Sequence, residues 1–240
     1  MAIDPQVPVG RLVAERLGRA EVLESFGVDY CCGGALPLAE ACTAADADLD
    51  EVTAALAASD AAPAPAETAE EPPEGLAALC DHIEAVHHVP LWPELPRLSE
   101  LAAKVEAAHG DRHPELHQVR AAYETLRAEL ESHLAKEEQI LFPLCRELEA
   151  ASSAPEFHCG SVGNPIRVML HEHDETRDLL VALRELTAGY AVPDDACPSY
   201  QALLDGLARF ERDLHLHIHK ESNLLFPAAL ARESELARAG

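Results

Sequence analysis

An eleven-residue segment occurs twice in this chain, 84 positions apart. His133-Leu134-Ala135-Lys136-Glu137-Glu138-Gln139-Ile140-Leu141-Phe142-Pro143 is matched by His217-Ile218-His219-Lys220-Glu221-Ser222-Asn223-Leu224-Leu225-Phe226-Pro227. The helical segments ahead of them carry His88 and His173, themselves 85 positions apart. A helical hairpin cannot bury its apolar face alone, whereas two related hairpins close into a four-helix bundle. Packing alone accounts for the shared Leu-Phe-Pro, but not for the aligned His and Glu.

Apolar periodicity places the bundle helices at about 75–108, 113–149, 163–189 and 196–234, with Pro155, Gly160, Gly189 and Pro193 as breaks. Strand-like alternation is nearly absent, so the expected fold class is all-α. Residues i and i+4 share a helix face, as His133 does with Glu137 and His217 with Glu221. Both pairs fall within apolar stripes, Leu126, Leu130, Leu134, Ile140, Leu141 in one helix and Leu207, Phe210, Leu214, Ile218, Leu225 in the other. Carboxylates on a core face must be paired or must bind something, because an unpaired buried charge costs several kcal/mol. His173 follows Ile166 and Met169 at helical spacing, and His88 fits its stripe less cleanly, through Ala85, Trp92 and Leu95. Single His–Glu pairs are common by chance; His171 with Glu175 is one, and His113 with His117 is a similar decoy.

Ahead of the bundle, residues 59–75 hold Pro63, Pro65, Pro72 and Pro73 among Ala and Glu and read as a linker. This divides the chain into a small helical module, 1–58, and a bundle, 76–240. In the small module two short helices end near Gly27, Gly27 to Gly34 is a loop, and one further helix spans about 37–58. The charge of −25 disfavours nucleic acid and anionic lipid, and no apolar run is long enough to span a membrane. No basic-then-apolar leader opens the sequence, so a cytoplasmic protein is expected, with its seven cysteines as thiols or ligands. Adjacent Cys31 and Cys32 are candidate redox or metal-relay thiols, since Gly33 and Gly34 let a partner approach; the alternative is simple packing.

Imidazole with carboxylate and no thiolate disfavours an iron–sulfur cluster or structural zinc within the bundle. Two inward carboxylates on opposite helices suit a carboxylate-bridged pair of metals, with an oxo or hydroxo bridge expected on oxidation. A ferritin-like version would use Glu84/His87 and Glu106/His109, which lie outside the repeat register.

On these residues the bundle resembles the haemerythrin-like di-iron domains. Asp81-His82-Ile83, Ser132-His133 and Glu172-His173-Asp174-Glu175 add to the likeness. Asp29-Tyr30-Cys31-Cys32-Gly33-Gly34 resembles the signature of the short domain preceding such a bundle in the repair-of-iron-centres family. The resemblance covers nearly the whole chain. It implies a non-haem di-iron protein with five imidazoles, His88, His109, His133, His173 and His217, and two bridging carboxylates, Glu137 and Glu221. His87 competes with His88 as the first-helix ligand, and His171, His215 and His219 are extra histidines. It further implies two iron ions, repair of iron–sulfur client proteins after nitrosative or oxidative damage by iron donation, nitric oxide or oxygen as a ligand, and compatibility with a homodimer. The rival reading is a haemerythrin-like oxygen or nitric-oxide carrier or sensor. Such a carrier has no evident use for Cys31 and Cys32.

Overall fold

The computed structural model describes residues 3–61 and 72–239, and every regular element among them is helical. A single isolated bridge, Pro8 to Pro37, is the only strand-like pairing among the described residues. The small domain contains α1 (Val9–Glu15), α2 (Arg19–Ser25), α3 (Leu38–Ala44) and α4 (Leu49–Ala61). The one helix expected over 37–58 is therefore two. Asp46 takes a left-handed backbone (φ 53°), which ends α3. Asp48 Oδ1 then accepts from the N–H groups of Asp50 (2.9 Å) and Glu51 (3.0 Å), capping the start of α4. Val9, Leu12, Leu23, Tyr30, Leu38, Val52 and Leu56 form the small core. Buried Arg19 ties α2 to Asp60 at 2.8 Å. Residues 62–71, most of the proline-rich linker read from the sequence, lie outside the described residues.

Four long helices form the bundle: α5 (76–109), α6 (115–150), α7 (Gly163–Leu186) and α8 (198–239). The repeat extends to their capping. Glu149, near the end of α6, accepts from Leu76 N (2.8 Å) and Ala77 N (3.0 Å) at the start of α5. Glu233, near the end of α8, accepts from Val162 N (2.9 Å), just ahead of α7. Carboxylates there satisfy N–H groups that a helix leaves without partners and complement its dipole.

Three of the four helices contain one π-turn each, over Glu84–His88, Glu137–Leu141 and Glu221–Leu225. Each closes with an i→i+5 bond, from Val89 N to Glu84 O, Phe142 N to Glu137 O and Phe226 N to Glu221 O. A proline follows each turn at the second residue, Pro90, Pro143 and Pro227. Proline has no N–H to donate and its ring crowds the carbonyl four residues back. Widening the helix by one residue just upstream relieves that crowding, and a π-turn is that widening. It also rotates the helix face. Ile140, expected in the core stripe, is turned outward and is 42% exposed.

The bundle core has two apolar sections. One is built on Leu95, Leu98, Tyr123, Leu126, Leu203 and Phe210, the other on Ile83, Phe142, Leu148, Ile166 and Phe226. All three π-turns lie where these sections meet, and so do the buried polar residues His88, His133, Glu137, His173, His217 and Glu221. The α8 stripe is also shared between two cores, since Ile218 packs into the small domain.

Candidate metal centre

The six residues form two overlapping sets of four. His88, Glu137, His217 and Glu221 offer ligand atoms within 4.8 Å of one another, and so do His133, Glu137, His173 and Glu221. Each set has two imidazoles, and both sets share the same two carboxylates. His217 Nε2 is 2.9 Å from Glu221 Oε1, and His173 Nε2 is 3.1 Å from Glu221 Oε2. His133 Nε2 and His88 Nε2 stand 3.4 and 3.6 Å from Glu137 Oε2. The π-turns set this register: Glu137 and Glu221 open their turns and His88 closes its own.

Both carboxylates have 0% exposure. Both Glu137 oxygens, Glu221 Oε2 and His173 Nε2 are buried without a hydrogen-bond partner. Buried polar atoms are almost always satisfied, so four orphans converging on one point need a cation there. Without one, burial and then the charge of Glu221 push the Glu137 carboxyl well above the usual range. Burial works the same way on Glu221, but His217, His173 and His88 outweigh it and hold its carboxyl low. Burial pushes His217 down to about 4 and lowers His133 as well. Neutral imidazoles beside carboxylates are the protonation state that a metal requires. The donor set, nitrogen and oxygen without sulfur, suits iron.

Three of the four imidazoles are oriented from behind. His88 Nδ1 donates to Glu138 Oε1 (3.0 Å) and His133 Nδ1 to Glu172 Oε2 (2.9 Å). His173 Nδ1 pairs with Ser222 Oγ at 3.0 Å. Such partners fix the tautomer that leaves Nε2 free to bind metal. His217 Nδ1 has no hydrogen-bond partner; its ring stacks on His87 at 5.3 Å. Glu172 is also paired with Lys136, and the His133 bond is the main cause holding its carboxyl down at about 2. A cavity of about 310 Å³ lined by Glu129, His133, Lys136, Glu172 and Glu175 opens beside this flank.

His109 is not brought to this cluster. It lies 21 residues beyond His88 on the same helix, roughly 30 Å along the axis at 1.5 Å per residue. There its Nε2 faces Cys197 Sγ at 3.2 Å and its Nδ1 faces Arg112 at 3.0 Å. The structure thus groups four imidazoles with two carboxylates. The ferritin-like pairs are not assembled either: Glu84 pairs with Arg146, and Glu106 with His117 and Arg120. Between the two first-helix candidates, His88 faces the cluster, while His87 turns to Asp213 (2.8 Å) and Lys220 (2.9 Å). His171 stays on the surface with Glu175. Trp92 leaves its expected stripe and is 38% exposed, replaced inside by Leu91 and Leu95.

The loop bearing Cys31 and Cys32 lies against the same layer. Asp29 Oδ1 accepts from the N–H groups of Cys31 and Cys32, both at 3.0 Å, and shapes the turn. Cys32 Sγ approaches the His173 carbonyl oxygen at 3.7 Å. Cys31 is buried, and its hydrogen bond with Cys32 together with that burial push its thiol well up, so it is held protonated. Asp29, Cys31 and Cys32 themselves form a compact donor cluster. The π-turn Glu221–Leu225 joins the two regions through consecutive residues. Glu221 belongs to the cluster, Ser222 orients His173, and Asn223 Nδ2 donates to Cys31 O (3.0 Å) and Tyr30 O (3.3 Å). None of these roles has a sequence signature beyond the repeat, in which Gln139 stands at the position matching Asn223.

A four-helix bundle with a buried layer of four histidines and two shared glutamates is a haemerythrin-type metal-binding domain. The family described as the hemerythrin HHE cation binding domain matches residues 82–229, and a domain of unknown function, DUF542, matches residues 5–60. The iron-sulfur cluster repair protein YtfE of Salmonella choleraesuis (strain SC-B67) is 35% identical over 233 residues, covering 94% of this chain and 97% of the relative. The YtfE proteins of Salmonella paratyphi B and Salmonella newport match to the same extent. The chain belongs to this repair-of-iron-centres family. No helix among the described residues is long and apolar enough to cross a membrane.

Proposed function

We propose that this protein binds two iron ions in the two overlapping sets and supports repair of damaged iron–sulfur clusters by giving up iron to client proteins. His88 and His217 would hold one ion, His133 and His173 the other, with Glu137 and Glu221 bridging. The observation that carries this reading is the convergence of orphaned, fully buried oxygens, both of Glu137 and Oε2 of Glu221, between four imidazoles, three of them oriented from behind. Redox-active iron bound there supplies ferrous–ferric chemistry, including binding of small oxidants such as oxygen or nitric oxide. The protein's own groups enclose that layer between two apolar sections, keep His133 and His217 neutral, and fix three of the imidazoles through Glu138, Glu172 and Ser222. The acidic flank at Glu129, Glu172 and Glu175 favours passage of cations.

The docked dithiol favours repair over a carrier or sensor. Cys31 and Cys32, with Asp29, offer a softer donor set against His173, suited to a cation in transit between bundle and client, whose binding releases the proton that burial holds on Cys31. The domain division at the linker, cytoplasmic location and a homodimer are parts of the same reading.

The test uses anaerobically loaded protein mixed with a [4Fe–4S] hydro-lyase inactivated by peroxide. Recovery of hydro-lyase activity with matching loss of iron from the donor supports the reading. A Cys31→Ser/Cys32→Ser double variant should keep its iron and repair more slowly. Iron bound but never transferred to any damaged client would reject repair and leave the sensor.

A further inference from the structure

The only tryptophan of the chain stands outside the metal layer, yet it is wired to it. Trp92 Nε1 donates to Glu138 Oε1 at 3.0 Å, and the same oxygen accepts from His88 Nδ1 at 3.0 Å. His88 is buried, and its Nε2 belongs to the metal-facing set. The indole is 38% exposed, so two hydrogen bonds and one imidazole ring link solvent to the centre of the bundle. The π-turns create this arrangement. The first carries His88 to the core and leaves Val89 and Trp92 on the outer face of the next turn of α5, with Leu91 inside. The second places Glu138 beside its opening residue Glu137. Of the other oriented imidazoles, His133 ends on Glu172 and Lys136, and His173 on Ser222. Only the His88 branch ends on an exposed aromatic ring. Val86, Val89 and Ile140, the last two residues beyond Glu138, are exposed on the same turns of the two helices as Trp92 and Glu138.

We propose that Trp92, Glu138 and His88 form an electron relay, and that the surface around Trp92 receives a protein one-electron carrier. This deepens the proposed function, because it rests on iron at the layer. Iron held as the ferric ion must be reduced before it can leave in ferrous form. Per electron, the carrier is oxidised by one, one ferric ion becomes ferrous, and no bond or proton along the relay changes place; the reverse direction uses the same path. A chain of charge −25 selects a carrier whose docking face is basic around an apolar centre. Hydrogen bonds through a shared carboxylate supply a continuous path where packing contacts would leave gaps.

The experiment begins by measuring iron content in wild type, Trp92→Phe and Val89→Lys, then mixes each diferrous protein with ferricytochrome c, a basic one-electron acceptor. Trp92→Phe preserves an aromatic ring but has no N–H. It should keep its iron while cytochrome reduction slows by about tenfold or more, the size of effect seen when groups behind metal ligands are altered. Oxidation by a small diffusible oxidant should stay as in wild type. A second measurement reads the docking surface. Emission of the single tryptophan should fall when zinc-loaded protein, which passes no electron, is mixed with ferricytochrome c, because the haem then lies near Trp92, and Val89→Lys, a charge of the wrong sign on the exposed neighbour, should remove most of that fall. Unchanged cytochrome rates in Trp92→Phe, or unchanged quenching in Val89→Lys, overturn the relay and its docking surface while leaving the iron site standing. Failure of the wild type to bind iron overturns both.

Discussion

The side-chain amide of Asn223 sits where a Cβ on Gly34 would have to be. Gly10 meets the same amide, at 2.5 Å. The second glycine after the cysteine pair is thus explained by close approach of the bundle to the loop backbone, rather than by loop flexibility. Because Asn223 shares its π-turn with Glu221, the dithiol loop and the metal layer are held by one piece of backbone.

Gly34→Ala should therefore loosen the dithiol loop without touching a metal-facing residue. Iron content should stay as in wild type, while alkylation of Cys31 by iodoacetamide accelerates by about tenfold or more as its burial is lost. Mass spectrometry of the Cys31 peptide reads this directly. Unchanged alkylation would mean that the Asn223 contact does not hold the loop.

Acid should weaken the metal-free protein well before most carboxylates titrate. His217 and His219 are pushed down to about 4, chiefly by burial, from an unfolded value of about 6.5. The unfolded chain then binds more protons than the folded one between those values, so stability falls as pH falls through that window. Thermal melts of apo protein at pH 7, 6 and 5 should show a progressive drop, and His219→Asn, which cannot titrate, should reduce its size. The raised Glu137 carboxyl works in the opposite direction, so the difference between the two proteins is the readout: equal profiles in wild type and His219→Asn would mean that His219 is not buried neutral. Iron should be lost over the same window, since protons compete for the same nitrogens.

Much of this was legible in the sequence because the repeat fixes two turns of helix against each other. His133, Glu137, His217 and Glu221 could be read from face and register alone, and His173 from its stripe. His109 could not, since it came from family likeness. Counting 1.5 Å per residue along an unbroken helix already separates it from His88 by several turns. The π-turns were the hidden element. Standard helical periodicity placed Ile140 and Trp92 inside, and a one-residue widening moved both outward. The signal for it was present as a proline two residues after each turn. The break at Asp46 and the docking through Asn223 depend on local capping and on contact between domains, which periodicity does not encode.

Metal should stabilise the bundle, because ligands drawn from all four helices do not meet in the unfolded chain. Chelation under reducing conditions should lower Tm while the far-ultraviolet helical signal largely remains, since the apolar sections on either side of the layer do not depend on iron. Coincident melting of apo and loaded protein would contradict a site that bridges the core.

The most direct test is iron per chain in wild type, Glu137→Ala, Glu221→Ala and His109→Ala, loaded anaerobically and measured after gel filtration. Wild type and His109→Ala should each hold about two irons, on the logic of paired metals sharing carboxylates. Both glutamate variants should lose iron and any charge-transfer absorption, with His171→Ala and His113→Ala unchanged. Full iron in both glutamate variants, or its loss in His109→Ala when that variant is folded, would contradict the assignment of the centre.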